Sequence, residues 1–324
     1  MWNILFILLG LELSISGYWF PYSTLVCVFA WLGIILPLIL RVNIWEILKN
    51  VKSYKKEIFF SILINFAIRP LIAFVIGSYL FDLSAFQLKW LILLSILPGG
   101  GLLLYWVKKS GWDIREAFLL FLINFVFFSL IYYFSINFWS FGSAQSLYIC
   151  AFEEVGIDSI SCFAPDGKIN PIAPLMVLII VPLFLAFFIE YFFGNSLKGK
   201  EKILANISKI STSLVLFYIF GLKDVGVYLK QHFWESLTLF WPVLVLYLVM
   251  LWVAKYFSTF FEGNKRISVF WISVTRFIML GVFFVVPWIW VGWEKVLPLF
   301  LWAFVVQILI NLLVSHLEYK WKSG

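Results

Sequence analysis

Apolar residues in this chain run in blocks of about twenty, separated by short polar connections, with neither the 3.6-residue stripe of a surface helix nor the alternation of a half-buried strand. About 20 apolar residues cross a hydrocarbon core. On that length the pattern predicts ten spans, at 2–18, 23–41, 58–81, 88–107, 116–139, 172–193, 204–221, 235–257, 267–290 and 294–315. Residues 2–18 read as a span and not as a signal peptide, because no Lys or Arg precedes them and no small-residue cleavage site follows. The one long connection, 140–171, is polar, with Asp and Glu in excess over Lys.

Composition agrees with the blocks. Hydrophobic residues make up 63% of the chain, charged residues 13%, and mean hydropathy is +1.01; soluble domains hold about 45–50% apolar and about 25% charged residues. The class is an all-α polytopic membrane protein whose first partner is the lipid bilayer. A net charge of +7 then reads as an orientation signal and not as a nucleic-acid footprint. The connections after spans two, four, six and eight, with the C-terminal tail, carry sixteen Lys and Arg, and the opposite side carries only Lys168, Lys223, Lys230 and Lys295. This bias places both termini in the cytoplasm and the 140–171 loop outside; the membrane expected is a bacterial cytoplasmic (inner) membrane. Cys150 and Cys162 in that loop can then hold a disulfide or remain two free thiols.

The long loop separates five spans (1–139) from five more (172–324), and an odd number of crossings gives the halves opposite orientations, as in an inverted repeat. Pro70 in the third span is matched by Pro242 in the eighth, and Glu12 in the first by Glu190 in the sixth. The interrupted fourth span is matched by an irregular ninth, WISVTRFIMLGV.

Two features point to chemistry inside the membrane. Within LSILPGGGLLLYWVKKSGWD, Pro98 removes a backbone donor, and Gly99, Gly100 and Gly101 lower the cost of leaving helical geometry, so the fourth span should be two half-helices. Unwound backbone at membrane depth is tolerated only where protein or a cavity surrounds it, which makes the break a ligand site or a kink for close packing. The second feature is charge: Arg69 in the third span and Arg276, beside Thr275, in the ninth. A buried arginine keeps its proton and must find an anion, a carbonyl or water. Either these two form a cationic pocket for an anionic substrate, or they are tied to Glu12, Glu190 or carbonyls freed at the breaks. Asn65 and Asn124 add hydrogen bonds to a substrate or between helices. No Walker loop, dinucleotide fingerprint or His/Cys cluster with metal-ligand spacing occurs, so no cofactor, metal or enzymatic activity is expected, and the case for an ATP-driven pump or a membrane metalloprotease is weak.

The region NFAIRPLIAFVIGSYLF, followed by the Pro-Gly-Gly break and the polar Gly111-Trp112-Asp113, resembles the bile-acid/sodium symporter superfamily, which includes the arsenite permeases. The resemblance implies ten spans in two inverted five-helix repeats, with broken fourth and ninth helices crossing near the midplane. It further implies a core of spans three to five and eight to ten moving against a panel of spans one, two, six and seven, with Arg69 and Arg276 on the core and Glu12 and Glu190 on the panel as charge partners. This chain departs from the sodium-coupled members by carrying Arg276 where they place polar or acidic ligands, and from the arsenite branch by lacking a cysteine in its fourth span. The expectation is a secondary transporter of a small organic or inorganic anion that is not sodium-coupled. Arsenite or antimonite efflux and a non-transporting scaffold or sensor on the same fold are the alternatives.

Overall fold

The computed structural model describes residues 2–18, 32–37, 39–40, 51–99, 101–110, 113–138, 181–192, 199–222, 230–278, 281 and 297–322. Cys27, Cys150, Cys162, Gly100, Gly111, Trp112, the whole 140–171 loop and most of the ninth span beyond Ile278 lie outside these residues. The described residues are helical and include no strand. Five helices are long and apolar enough to cross a membrane by length and composition: Val51–Leu80, Ile114–Ile131, Lys202–Phe220, Phe233–Ser258 and Leu297–Ser315.

In chain order the helices are α1 (Trp2–Ile15), α2 (Lys55–Leu63), α3 (Arg69–Val75), α4 (Ala85–Ile96), α5 (Gly101–Lys109), α6 (Ile114–Phe138), α7 (Val181–Phe192), α8 (Glu201–Phe220), α9 (Phe233–Thr238), α10 (Phe240–Ser258), α11 (Gly263–Val274) and α12 (Leu297–Lys322). Contacts group the chain into two compact units. The first comprises Met1–Val42, Ser129–Gln231 and Val285–Glu294; the second comprises Asn43–Phe128, His232–Phe284 and Lys295–Gly324.

In the first unit, α1 lies along α8. The approach is close because Gly10 faces the α8 backbone, where a Cβ would run into the Phe217 carbonyl oxygen. Phe6 meets Phe217 edge to face at 6.1 Å, and Ser14 Oγ donates to Leu222 O at 2.7 Å, which occupies the hydroxyl inside an apolar pair.

The second unit holds the irregular helices. α2 and α3 form one continuous rod through a π-helical turn at Ile64–Ile68, where the Arg69 amide reaches back five residues to Ile64 O. Pro70 explains it: the ring has no amide to donate and would clash with the carbonyl four residues earlier, and a wider turn relieves both. A capping box of Ser84 and Gln87 starts α4, which stops at Ile96 because Leu97, ahead of Pro98, is extended at ψ 138. The helix resumes as α5 at Gly101. α11 likewise stops at Val274, with Thr275 extended at ψ 148. Neither piece of the fourth span reaches crossing length alone.

Apolar side chains cover the outside as well as filling the interior, and a minority of polar groups is buried among them. Leu71, Phe74, Tyr79, Trp241, Leu248 and Trp252 are exposed, while Glu57, Asn65, Arg69, Glu116, Asn124, Arg276 and Gln307 are buried. Replacing Gly10 with Leu is expected to separate α1 from α8 and destabilise the protein by about 1–3 kcal/mol, the cost of overpacking. A lower melting temperature in detergent checks it, and a melting temperature equal to wild type would contradict the close approach.

Candidate functional site

The two helix breaks meet. Phe277 N–H donates to Pro98 O at 2.8 Å, so an unwound residue of one broken helix hydrogen-bonds an unwound residue of the other. Gly99 keeps the approach open, since a Cβ there would press on the Ile272 side chain. Trp106 of α5 stacks on Trp271 of α11 at 5.5 Å and 12°, joining the half-helix that follows the first break to the half-helix that precedes the second.

A broken helix orphans its last carbonyls. Had α11 continued, Ile272 O would have accepted from Arg276 N–H and Ser273 O from Phe277 N–H. Those amides go elsewhere, to Gln307 Oε1 at 2.7 Å and to Pro98 O. Side chains supply the missing donors. Arg276 curls back so that Nη1 donates to Ile272 O (2.8 Å) and Thr275 O (2.6 Å), while Nη2 donates to Ser273 O (3.1 Å) and Asn65 Oδ1 (2.6 Å). Arg69 Nη1 donates to the same Ser273 O at 2.8 Å. Thr275 Oγ1 closes the last turn on Trp271 O at 2.7 Å.

Asn65 and Asn124 link this break to the neighbouring helices. Asn65 Nδ2 donates to Asn124 Oδ1 at 2.9 Å, and Asn124 Nδ2 donates to Ser61 Oγ at 2.6 Å and Leu120 O at 2.7 Å. Both amides are fully buried and every polar atom they carry is engaged.

The arginines differ in what they have left. Arg276 has used both terminal nitrogens and keeps only Nε without a partner, whereas Arg69 keeps Nε and Nη2, the whole side edge of its guanidinium. Both are buried, at 0% and 1% exposure. Tyr247 offers Arg69 a ring face, 5.1 Å from Cζ to the centroid. All the oxygens that the two arginines bond are carbonyl or amide oxygens of the second unit. Glu12, exposed on α1, and Glu190, half-buried on α7, belong to the first unit. Two cations sharing one carbonyl stand no more than about 6 Å apart, a repulsion of about 3 kcal/mol at an effective dielectric of 20.

Residues 28–228, more than half of the 324-residue chain, match the model of the Sodium Bile acid symporter family. The chain belongs to that family. Its members are transporters, and the chain is accordingly an integral membrane protein of a transporter family. No individual curated protein matches it.

For this family member, the second unit brings Asn65, Arg69, Pro98, Gly99, Asn124, Thr275 and Arg276 to one crossing, beside the start of α5 at Gly101. Sequence reasoning missed Gln307 and Tyr247. Gln307 Nε2 donates to Arg276 O at 3.0 Å while Oε1 accepts from Arg276 N–H, replacing the peptide partner that the break removed, and Tyr247 O–H donates to the same Oε1 at 2.9 Å. The available signal was a pair of amides, Gln307 and Asn311, one turn apart inside an apolar span. Asn311, one turn further along α12, is buried with neither polar atom partnered.

Gln307→Leu should therefore strand two backbone groups and a hydroxyl, lowering stability by about 1–3 kcal/mol per stranded group, whereas Asn311→Leu removes unpaired polar atoms and should be neutral or stabilising. Melting temperatures of the two variants check this, and equal losses would contradict it.

Proposed function

We propose that this protein is a secondary transporter of a small organic or inorganic anion, working by alternating access around the crossed breaks and independently of sodium. One observation carries the reading: among the described residues, Arg69 is buried beside a second buried arginine, its Nε and Nη2 make no hydrogen bond, and no carboxylate is bonded to either. A guanidinium side edge is a two-pronged donor that fits two oxygens of one anion. Arg276, whose terminal nitrogens already hold the break together, adds charge and fixes geometry. A sodium ion at the ninth-span break would face that positive charge at short range, so the arginine stands in for the coupling cation.

Around this site the reading takes ten spans in two inverted repeats, divided by the long loop, with both termini in the cytoplasm of a bacterial inner membrane. The second compact unit, which gathers spans three, four, eight and ten with span five as far as Phe128 and the described part of nine, is the moving core in this scheme. The first unit supplies the panel.

The test is flux into vesicles carrying the purified protein, with a panel of labelled small anions, in sodium and in choline medium. Equal rates in both media are expected, and a sodium requirement would overturn the sodium-independent mechanism. Arg69→Lys keeps the charge and loses the fork, so flux should fall about tenfold or more, the worth of one charge-assisted hydrogen bond. Arg276→Gln should abolish binding and also lower the melting temperature, because four hydrogen bonds leave the break with it. No flux with any anion, at unchanged stability, would instead favour a scaffold.

A further inference from the structure

At the opposite end of α11 from the break lies a second buried polar cluster, away from the arginines. Glu57, in the first turn of α2, and Glu116, in the first turn of α6, are 2% and 3% exposed. Consecutive residues at the start of α11 hold them: Lys265 Nζ lies 2.6 Å from Glu57 Oε1, and Asn264 Nδ2 donates to Glu116 Oε2 at 2.8 Å. Glu57 Oε2, Glu116 Oε1 and Asn264 Oδ1 are left buried with no hydrogen-bond partner. Three acceptors remain, and among the described residues no donor bonds them.

Charge is short in the same sense. Two carboxylates face one ammonium, and Asp113 adds negative charge felt at Glu116 while its own Oδ2 binds Arg115 Nε at 2.6 Å. Lys265 Nζ stands against Glu57, which holds that ammonium above its ordinary pKa, whereas Glu116 is met only by the neutral Asn264 amide, so Glu116 is the carboxylate placed to take a proton. One proton on Glu116 Oε1 turns one of the three unpartnered acceptors into a donor, and it brings the cluster of Glu57, Glu116 and Lys265 to zero net charge. A hard metal ion takes about six or more oxygens, whereas only three are free here and the Lys265 ammonium already stands against one of the carboxylates.

We propose that Glu57, Glu116 and Asn264 form a proton-binding site and that, resting on the anion-transport reading above, the proton is the ion that accompanies the anion. The site is joined to the arginines by two routes. α11 begins at Asn264 and Lys265 and ends at the Ser273 carbonyl that holds Arg69 and Arg276. Along α2 and α3, Glu57, Ser61, Asn65 and Arg69 recur every four residues on the buried face, and Asn124, eight residues after Glu116 on α6, bonds two of them. A change of grip at the first turn of α11 therefore acts on the helix whose last turn positions the guanidiniums.

Infrared titration of the full chain in lipid vesicles, with no anion added, tests the site apart from the transport reading. A protonated-carboxyl band that shifts in D2O should persist above about pH 6, where exposed carboxylates with pKa about 4 are almost wholly ionised. Glu116→Gln should remove it, the exposed Glu235→Gln should leave it, and Glu57→Gln, which turns an acceptor toward donation, should move its midpoint down by at least a pH unit. No such band, a band unchanged in both the Glu57 and Glu116 variants, or its displacement by sodium or calcium at fixed pH would overturn the proton site. If the band behaves as expected but an imposed pH gradient leaves anion uptake unchanged, the coupling half falls and the site stands.

Discussion

The crossing in the second unit depends on one exchange: a helix that stops inside an apolar layer, α11, orphans its carbonyls, and two arginines that cannot lose their protons supply the donors. Either alone would be prohibitive. Unpaired backbone groups cost several kcal/mol each in lipid, and an unpaired guanidinium costs more. Placed together, Ile272, Ser273 and Thr275 become the acceptors that Arg69 and Arg276 need, and the unwound segment becomes a fixed element of structure. The exchange balances hydrogen bonds but not charge. Two cations remain without an anion bonded to either, and that surplus gives the crossing its chemical character.

The rest of the unit follows from keeping that arrangement dry and rigid. Gln307 takes over the peptide partners of Arg276, Asn65 caps a guanidinium and is held in turn by Asn124, and stacked tryptophans join α5 to α11. These bonds lie among side chains without contact with solvent, where each is strengthened by its surroundings and each loss is felt in full. Pro70 contributes through the π-helical turn that precedes it, which sits between Asn65 and Arg69 and helps set their common face.

Much of the site was legible because intramembrane polarity is expensive and therefore sparse. In a chain so rich in oil, Arg69, Arg276, Asn65 and Asn124 stood out without any knowledge of their neighbours, and Pro98 with three glycines marked a helix end. Gln307, Glu57 and Glu116 were harder to weigh. An amide in a span resembles ordinary interhelical bonding, and a carboxylate near a span end resembles a solvated residue at the interface. Their burial became visible only when α2, α6, α11 and α12 were packed.

The sequence by itself determined the apolar blocks, the rod that Pro70 distorts, the ends of α4 at Pro98 and the presence of two charges that must be satisfied, because each follows from local covalent geometry or from transfer between water and lipid. Which atoms satisfy those charges was a different matter. Glutamates, freed carbonyls and a bound anion were all chemically adequate, and only tertiary packing chose the carbonyls of α11 and left one edge of Arg69 unpartnered. It did so because Ser273 and Arg69, 204 residues apart, are brought together by the register of separate helices. Sequence spacing carries no record of that register.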